Sequence, residues 1–336
     1  MRLPFFSVII PMYNVGGLVR DCLQSVYMQD MAEDELEVIV VNDNSTDDSA
    51  IHASEASEGH PNTTIISHHE NKRPGGARNT ALRIAKGEYV VFLDADDYWR
   101  YTNTLSAIKH VIEATGADVI DNNITSHVDY TSTLSPQRYE LAVEYKRITR
   151  EDLLRLEDFQ LSPWNAAYRR DAILEHEVWF GECVQYEDVD WRMRMIYWAG
   201  TIVRISFPYY CRRRGLGRDG HQSTGSMFDS VSCYKRLYRF AQGCDAPDTR
   251  DYMAGWILRG TMSLPSLARG SAIKDSRKAV SRLREARLLS PSAYRELSGR
   301  ISISLRQRMV LFLLRSMPSL LLLPSLIGRK ARQGMG

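Results

Sequence analysis

The sequence has no cysteine pair spaced C-x-x-C, and its cysteines number five, an odd count. Neither a disulfide framework nor a cysteine-built zinc site is expected. Cys22, Cys183, Cys211, Cys233 and Cys244 instead suit a reducing compartment. No G-x-x-x-x-G-K-[ST] occurs, which argues against a P-loop NTPase. No glycine-rich loop follows the first apolar run, where Pro11-Met12-Tyr13-Asn14 stand. A sugar-nucleotide pyrophosphorylase would need such a loop there. Excess charge is lacking too: 43 Lys and Arg face 41 Asp and Glu, for a formal net charge of +2. Nucleic acid is therefore not an expected partner. The apolar run at residues 5–10 is too short for a signal peptide and meets Pro11 at once. There is no internal repeat and no low-complexity linker. Acidic residues disappear after Glu296, while seven Arg and Lys positions follow from Arg300 to Arg332.

What is present is an ordinary globular balance, 44% hydrophobic and 25% charged, over 336 residues. The first third alternates two periods. Apolar runs at residues 6–10, 37–41, 63–67 and 89–93 read as strands, with a short fifth at 118–120. Helical spacing separates them: Leu18, Cys22 and Val26, then residues 47–57, 77–85 and 105–114. Such alternation predicts an α/β fold, a mostly parallel Rossmann-like sheet flanked by helices. Ligands on such sheets bind beyond the carboxyl ends of the strands. Asn42-Asp43 and Asp94-Ala95-Asp96-Asp97 stand there. Residues 121–165 lose the alternation and read as irregular acceptor-side structure. A helix at 189–198 and a strand at 202–207 follow, and residues 227–315 look helical.

Five segments could carry chemistry. Three carboxylates within Asp94-Ala95-Asp96-Asp97 would repel one another in a low dielectric, and a divalent cation with oxygen preference would resolve this. A solvated turn capping the next helix would use the same residues. Asp43 can accept from a base or sugar donor, while Asp47 caps a helix. The glycines of Asn71-Lys72-Arg73-Pro74-Gly75-Gly76-Ala77-Arg78-Asn79 could expose backbone N–H groups to an anion, with Arg78 adding a phosphate or base contact, or could mark a simple turn. Glu187, Asp188 and Asp190 open a helix, where they could supply a general base or simply favour the helix dipole. Arg212-Arg213-Arg214 could neutralise a diphosphate, and His221 could complete a metal shell.

Taken in order, these segments resemble family 2 of the glycosyltransferases, with the GT-A fold. The matching residues are Ser7-Val8-Ile9-Ile10-Pro11-Met12-Tyr13-Asn14, Val41-Asn42-Asp43-Asn44-Ser45-Thr46-Asp47, Ala77-Arg78-Asn79, the stretch from Gly87 to Asp97, Trp164-Asn165 and Tyr186-Glu187-Asp188. The resemblance spans roughly residues 4–225. It implies a metal-dependent, inverting transfer from a nucleotide diphosphate sugar, a UDP-sugar by expectation, to a glycan or lipid-linked acceptor. Pro11, Tyr13 and Asn14 would line the nucleotide pocket, and Asp43 would contact the base. Asp94 would hold ribose beside Ala95. Asp96, of the family's DXD motif, would hold Mn²⁺ or Mg²⁺. Trp164, Asn165 and Glu187 would lie on the acceptor side, with Asp188 as catalytic base. The family usually has two aspartates where Asn42-Asp43 stands, and glycine where Asn44 stands. A nucleotide-sugar-binding partner without catalysis is the rival reading, and intact Asp96 and Asp188 speak against it.

The expected domains are a transferase domain over 1–225, with its nucleotide-sugar half at 1–120 and acceptor half at 121–225. A helical extension over 226–300 and a basic apolar tail over 301–336 follow. Within that tail, residues 309–327 are almost wholly apolar but contain Arg315, Pro318 and Pro324. An arginine near mid-membrane costs about 2.5–3.5 kcal/mol. A peripheral contact with the cytoplasmic membrane face is therefore expected rather than a span, with an apolar helix docked on the protein's own core as the other reading.

Overall fold

The computed structural model describes residues 3–184, 186–215, 224–247 and 249–253. Chain contacts divide the molecule into two units, 1–219 and 220–336. His221 and residues 309–327 lie outside the described residues. Among the described residues no helix is long and apolar enough to cross a membrane.

The first unit is built on an eight-stranded sheet. Its first half is β1 (Phe6–Met12), β2 (Leu36–Asn42), β3 (Thr63–Ser67) and β4 (Tyr89–Phe92). These pair in parallel in the order β3-β2-β1-β4. Every residue of β1 and β4 is buried, as expected of parallel strands covered on both faces. The crossovers are α1 (Leu18–Tyr27), α2 (Ser49–Ala56) and α3 (Arg73–Ile84). On α1, Val19, Cys22, Leu23 and Val26 form the buried stripe.

Beyond β4 the pattern changes. After β4 come β5 (Tyr98–Trp99) and α4 (Thr104–Thr115), then β6 (Val119–Asn122), β7 (Thr125–Asp129), β8 (Tyr145–Ile148) and α5 (Arg150–Arg155). These are followed by β9 (Ala166–Arg169), α6 (Arg170–Glu175), α7 (Glu187–Trp198), β10 (Ile202–Ile205) and β11 (Tyr210–Arg214). The large sheet continues β4-β9-β6-β10-β8. β9 runs antiparallel to both neighbours, so β6 and β10 regain the direction of β4. A second sheet, β5-β11-β7, clamps the segment that leaves β4.

Residues 121–165, read from sequence as irregular, contain three strands or parts of strands and a helix. β7 and β8 hold no fully buried residue, so their polar side chains hide the strand period. The first half matches the expected order, with small shifts at the ends. α3 starts at Arg73, four residues before the expected start, because Pro74 opens its first turn. In the second unit α8 (Thr224–Gln242) carries buried Leu237 and Ala241. A G-x-G-x-x-G spacing occurs at residues 215–220, but it begins at the end of β11, not after the first strand.

Candidate active site

The carboxyl ends of β1, β2, β3 and β4 share one edge because the strands are parallel. Pro11, Tyr13, Asn14, Asp43 and Asp94 all gather at that edge. Pro11 is buried in β1, while Tyr13 projects with 48% of its surface exposed. Asn14 takes a positive φ of 49° and couples two loops. Its backbone N–H donates to Ser45 Oγ at 3.1 Å, and its Oδ1 accepts from the Thr46 N–H at 2.8 Å.

Asp43 is 2% exposed. Its Oδ1 accepts from the Lys72 backbone N–H at 2.8 Å and contacts His68 Nδ1 at 2.7 Å. Its Oδ2 is buried with no hydrogen-bond partner. An acceptor oxygen without a donor is costly in a folded protein unless a ligand supplies one. Lys72 stands within the glycine-bearing segment 71–79, whereas His68 is not among the expected site residues. His68 directly follows β3 at the same strand-end edge, so the rule that finds Asp43 also reaches it.

The three carboxylates after β4 separate into different roles. Asp97 is buried, accepting from the Tyr210 hydroxyl at 2.9 Å and the Arg213 N–H at 2.8 Å. Burial, and then the charges of Asp96 and Asp94, push its carboxyl up to about 8. Asp94 pairs with Arg78 Nη2 at 2.8 Å, and its backbone N–H donates to the Tyr210 hydroxyl at 3.2 Å. Ala95 is buried between them. Much of the repulsion expected of this triplet is thus answered by Arg78, Tyr210 and Arg213.

Arg213 differs from its expected role on a diphosphate. It is buried and holds the acidic loop through Asp96 O at 2.9 Å, the Asp21 carboxylate and Ser132 O at 3.0 Å. Its guanidinium also stacks on Tyr98, 4.6 Å from the ring centroid.

Arg78 is likewise not presented as an open phosphate ligand. It is 3% exposed and bridges two carboxylates, with Nη1 donating to Glu187 Oε1 at 2.7 Å and Nη2 to Asp94. Burial works against its charge, but Asp94 and then Glu187 hold its pKa above the usual arginine value. Glu187 is correspondingly held by Arg78 at the start of α7. Beside it, Asp188 is half-buried by surface but crowded by protein atoms. Burial, then the Glu187 charge, push its carboxyl up to about 7, against the pull of Arg78. Asp190 is fully buried and paired with Arg194 at 3.1 Å, which makes it a structural residue.

Gly75 and Gly76 serve packing. A Cβ on Gly75 would lie 2.2 Å from the Gly181 carbonyl oxygen, so its absence lets α3 approach the chain leading into α7. Asn79 fixes the same contact by donating to Phe180 O at 3.0 Å and accepting the Phe180 N–H at 2.9 Å. At these glycines the structure shows a close contact of α3 with the chain leading into α7.

Trp164 is nearly buried and stacks on Tyr210 with ring centroids 4.3 Å apart. Asn165 is 1% exposed and exchanges hydrogen bonds with Asn122 at 2.7 and 2.9 Å. It ties β9 to β6, and Trp164 supports the Tyr210 that holds the acidic loop.

Residues 7–176 match Glycosyl transferase family 2. The chain belongs to this family. It is a glycosyltransferase of GT-A fold. EpsH of Bacillus subtilis, a glycosyltransferase by name, is 27% identical over 253 residues, covering 72% of this chain and 70% of EpsH. A poly(ribitol-phosphate) beta-glucosyltransferase of Bacillus spizizenii is 41% identical over 93 residues, 27% of this chain and 15% of that one. Among solved structures, S. aureus TarS 1-349 in complex with UDP-GlcNAc superposes with a TM-score of 0.75 at 22% identity, over 98% of this chain and 92% of that one. Glycosyltransferases of this fold commonly use a divalent metal.

The acidic loop fits such a metal by the chemistry of its donors, hard carboxylate oxygens in a crowded negative field. Among the described residues no three His, Cys, Asp or Glu side chains group as a metal cage. A cation would therefore rest on Asp96 and on the donor's own phosphates, as Mg²⁺ and Mn²⁺ often do.

Proposed function

We propose that this enzyme transfers a sugar, with inversion, from a UDP-sugar to a hydroxyl of a glycan or lipid-linked acceptor in cell-envelope or surface-polysaccharide synthesis. One observation carries the reading. Arg78 ties Asp94, at the nucleotide edge of the sheet, to Glu187, next to Asp188. The donor-side and acceptor-side carboxylates are thereby parts of one charged network. Likeness to a fold that holds UDP-GlcNAc in TarS supports the donor class.

Asp43 accepts from the base and Tyr13 covers the nucleotide. Asp188 takes the acceptor proton as the hydroxyl oxygen attacks the anomeric carbon from the face opposite the diphosphate. One carboxylate suffices for a single displacement. A divalent cation at Asp96 would supply charge stabilisation to the departing diphosphate. The tail over 301–336, with its arginines and lysine, would hold the enzyme at the cytoplasmic face of a membrane beside a lipid-linked acceptor.

The test is a panel of UDP- and GDP-sugars incubated with the full chain and Mn²⁺, read as nucleoside diphosphate release. A UDP-sugar is expected to turn over, and EDTA is expected to stop it until Mn²⁺ or Mg²⁺ is restored. Full turnover in excess EDTA would remove the metal from the account. No release from any donor would remove catalysis.

A further inference from the structure

We propose that His68 is a positioning residue that sets base choice, by leaving Asp43 a single open acceptor oxygen matched to uracil rather than guanine. The inference rests on the nucleotide-sugar reading above and on the hydrogen bonds around Asp43.

His68 lies between β3 and α3 with its side chain 7% exposed. Its two ring nitrogens are both engaged. Nδ1 meets Asp43 Oδ1 at 2.7 Å, and Nε2 meets Thr80 Oγ1 at 2.9 Å on α3. An aspartate carboxylate only accepts, so the Nδ1 proton points at Asp43. Thr80 can donate to Nε2 or accept from it, so the ring is held in either protonation state. The Lys72 N–H, at 2.8 Å, is the second donor on the same oxygen. A further hold comes from Asn71 Nδ2, which donates to the Asp43 carbonyl at 3.1 Å. These contacts turn the carboxylate so that Oδ1 is saturated. Oδ2 remains buried and without a hydrogen-bond partner.

The number of open oxygens bears on the base. Uracil presents one N–H, at N3, between two carbonyls. Guanine presents an adjacent pair, N1–H and the N2 amino group, which suits a carboxylate gripping with both oxygens. With Oδ1 taken, a guanine would leave one of its donors unpaired in a buried site. Sites built around buried polar groups discriminate strongly through such unmet hydrogen bonds. A uracil N3–H satisfies Oδ2 and leaves nothing over. Removing the imidazole releases Oδ1 from one of its two donors and frees the carboxylate to turn. Affinity for UDP should drop, and the preference over GDP should narrow.

Titration calorimetry of UDP and GDP, with donor kinetics, decides the matter on wild type, His68→Ala, His68→Asn and His68→Gln. The Asn amide can replace the Nδ1 donor. The Gln amide reaches toward Thr80 and cannot. His68→Ala and His68→Gln are expected to weaken UDP about tenfold, the scale of one hydrogen bond to a charged group. GDP affinity should hold or rise, and kcat at saturating donor should stay within about twofold. His68→Asn should recover most of the UDP affinity. Should the alanine variant fail to fold, the Gln and Asn pair carries the comparison. Equal weakening of UDP and GDP would make His68 merely structural and overturn the proposal, as would UDP affinity unchanged in both His68→Ala and His68→Gln. Wild type that binds neither nucleotide would instead bring down the donor reading, and the proposal with it.

Discussion

Asp188→Asn is expected to bind UDP as wild type does and to transfer sugar about 10²–10⁴-fold more slowly, the usual loss for a general base. The amide keeps the shape of the carboxylate but cannot accept a proton as the acceptor oxygen attacks. The same assignment fixes the pH dependence. A base works only when ionised, and the Asp188 carboxyl is pushed up to about 7 by burial and by Glu187. The rate of wild type should therefore rise with pH through that value and level off above it. Below it the rate should fall by about tenfold per pH unit. A pre-steady-state measurement of transfer against pH checks both points. Asp188→Asn with near wild-type transfer would move the role elsewhere. Since Asp190 is buried on Arg194 and Glu187 is tied to Arg78, neither is placed to take it over.

Arg78→Met should produce the largest loss of stability together with a loss of activity. The substitution keeps a similar volume but removes the charge between Asp94 and Glu187. Removing one partner of a buried pair costs about 3–5 kcal/mol. The lower end applies here because the Asp94 side chain is 31% exposed and water can take up part of its charge. Thermal unfolding should show a drop of several degrees. Activity should fall beyond what unfolding explains, because α7 loses its anchor and Asp188 its setting. Arg78→Lys should rescue only in part. A single ammonium on a flexible stem cannot span two carboxylates as the guanidinium fork does. A folded, fully active Arg78→Met would dissolve the link between the two halves of the site.

The first half of the fold was legible because its strands are buried on both faces and write continuous apolar runs. β1, β2, β3 and β4 fall within a residue or two of their expected ends, and Asp43 and Asp94 stand where strand-end reasoning puts them. β9 was not legible. It holds only four residues, and its insertion between β4 and β6 rests on pairings far apart in the chain. The same separation explains the arginines. Arg78 lies 109 residues from Glu187, and Arg213 lies 117 from Asp96. As residue types, these arginines suit a phosphate equally well. Their commitment to Asp94 and Glu187, and to Asp21 and the Asp96 carbonyl, is a property of the folded chain alone. Gly75 teaches the same lesson, since a glycine before a helix signals an anion site and a close packing contact alike. The Trp164-Asn165 pair is expected on the acceptor side, and only the fold shows the Asn165 amide bonded to Asn122. His68 carries the same strand-end signal in the sequence. It follows β3 as Asp43 follows β2.

The central claim is a single displacement driven by one base, and the anomeric configuration of the released sugar tests it most directly. With water in place of the acceptor, hydrolysis of an α-linked UDP-sugar followed by proton NMR should show the β-anomer first, before mutarotation. That early β-anomer should vanish in Asp188→Asn. An α-anomer as first product would require retention, and would contradict both the single displacement and the role given to Asp188.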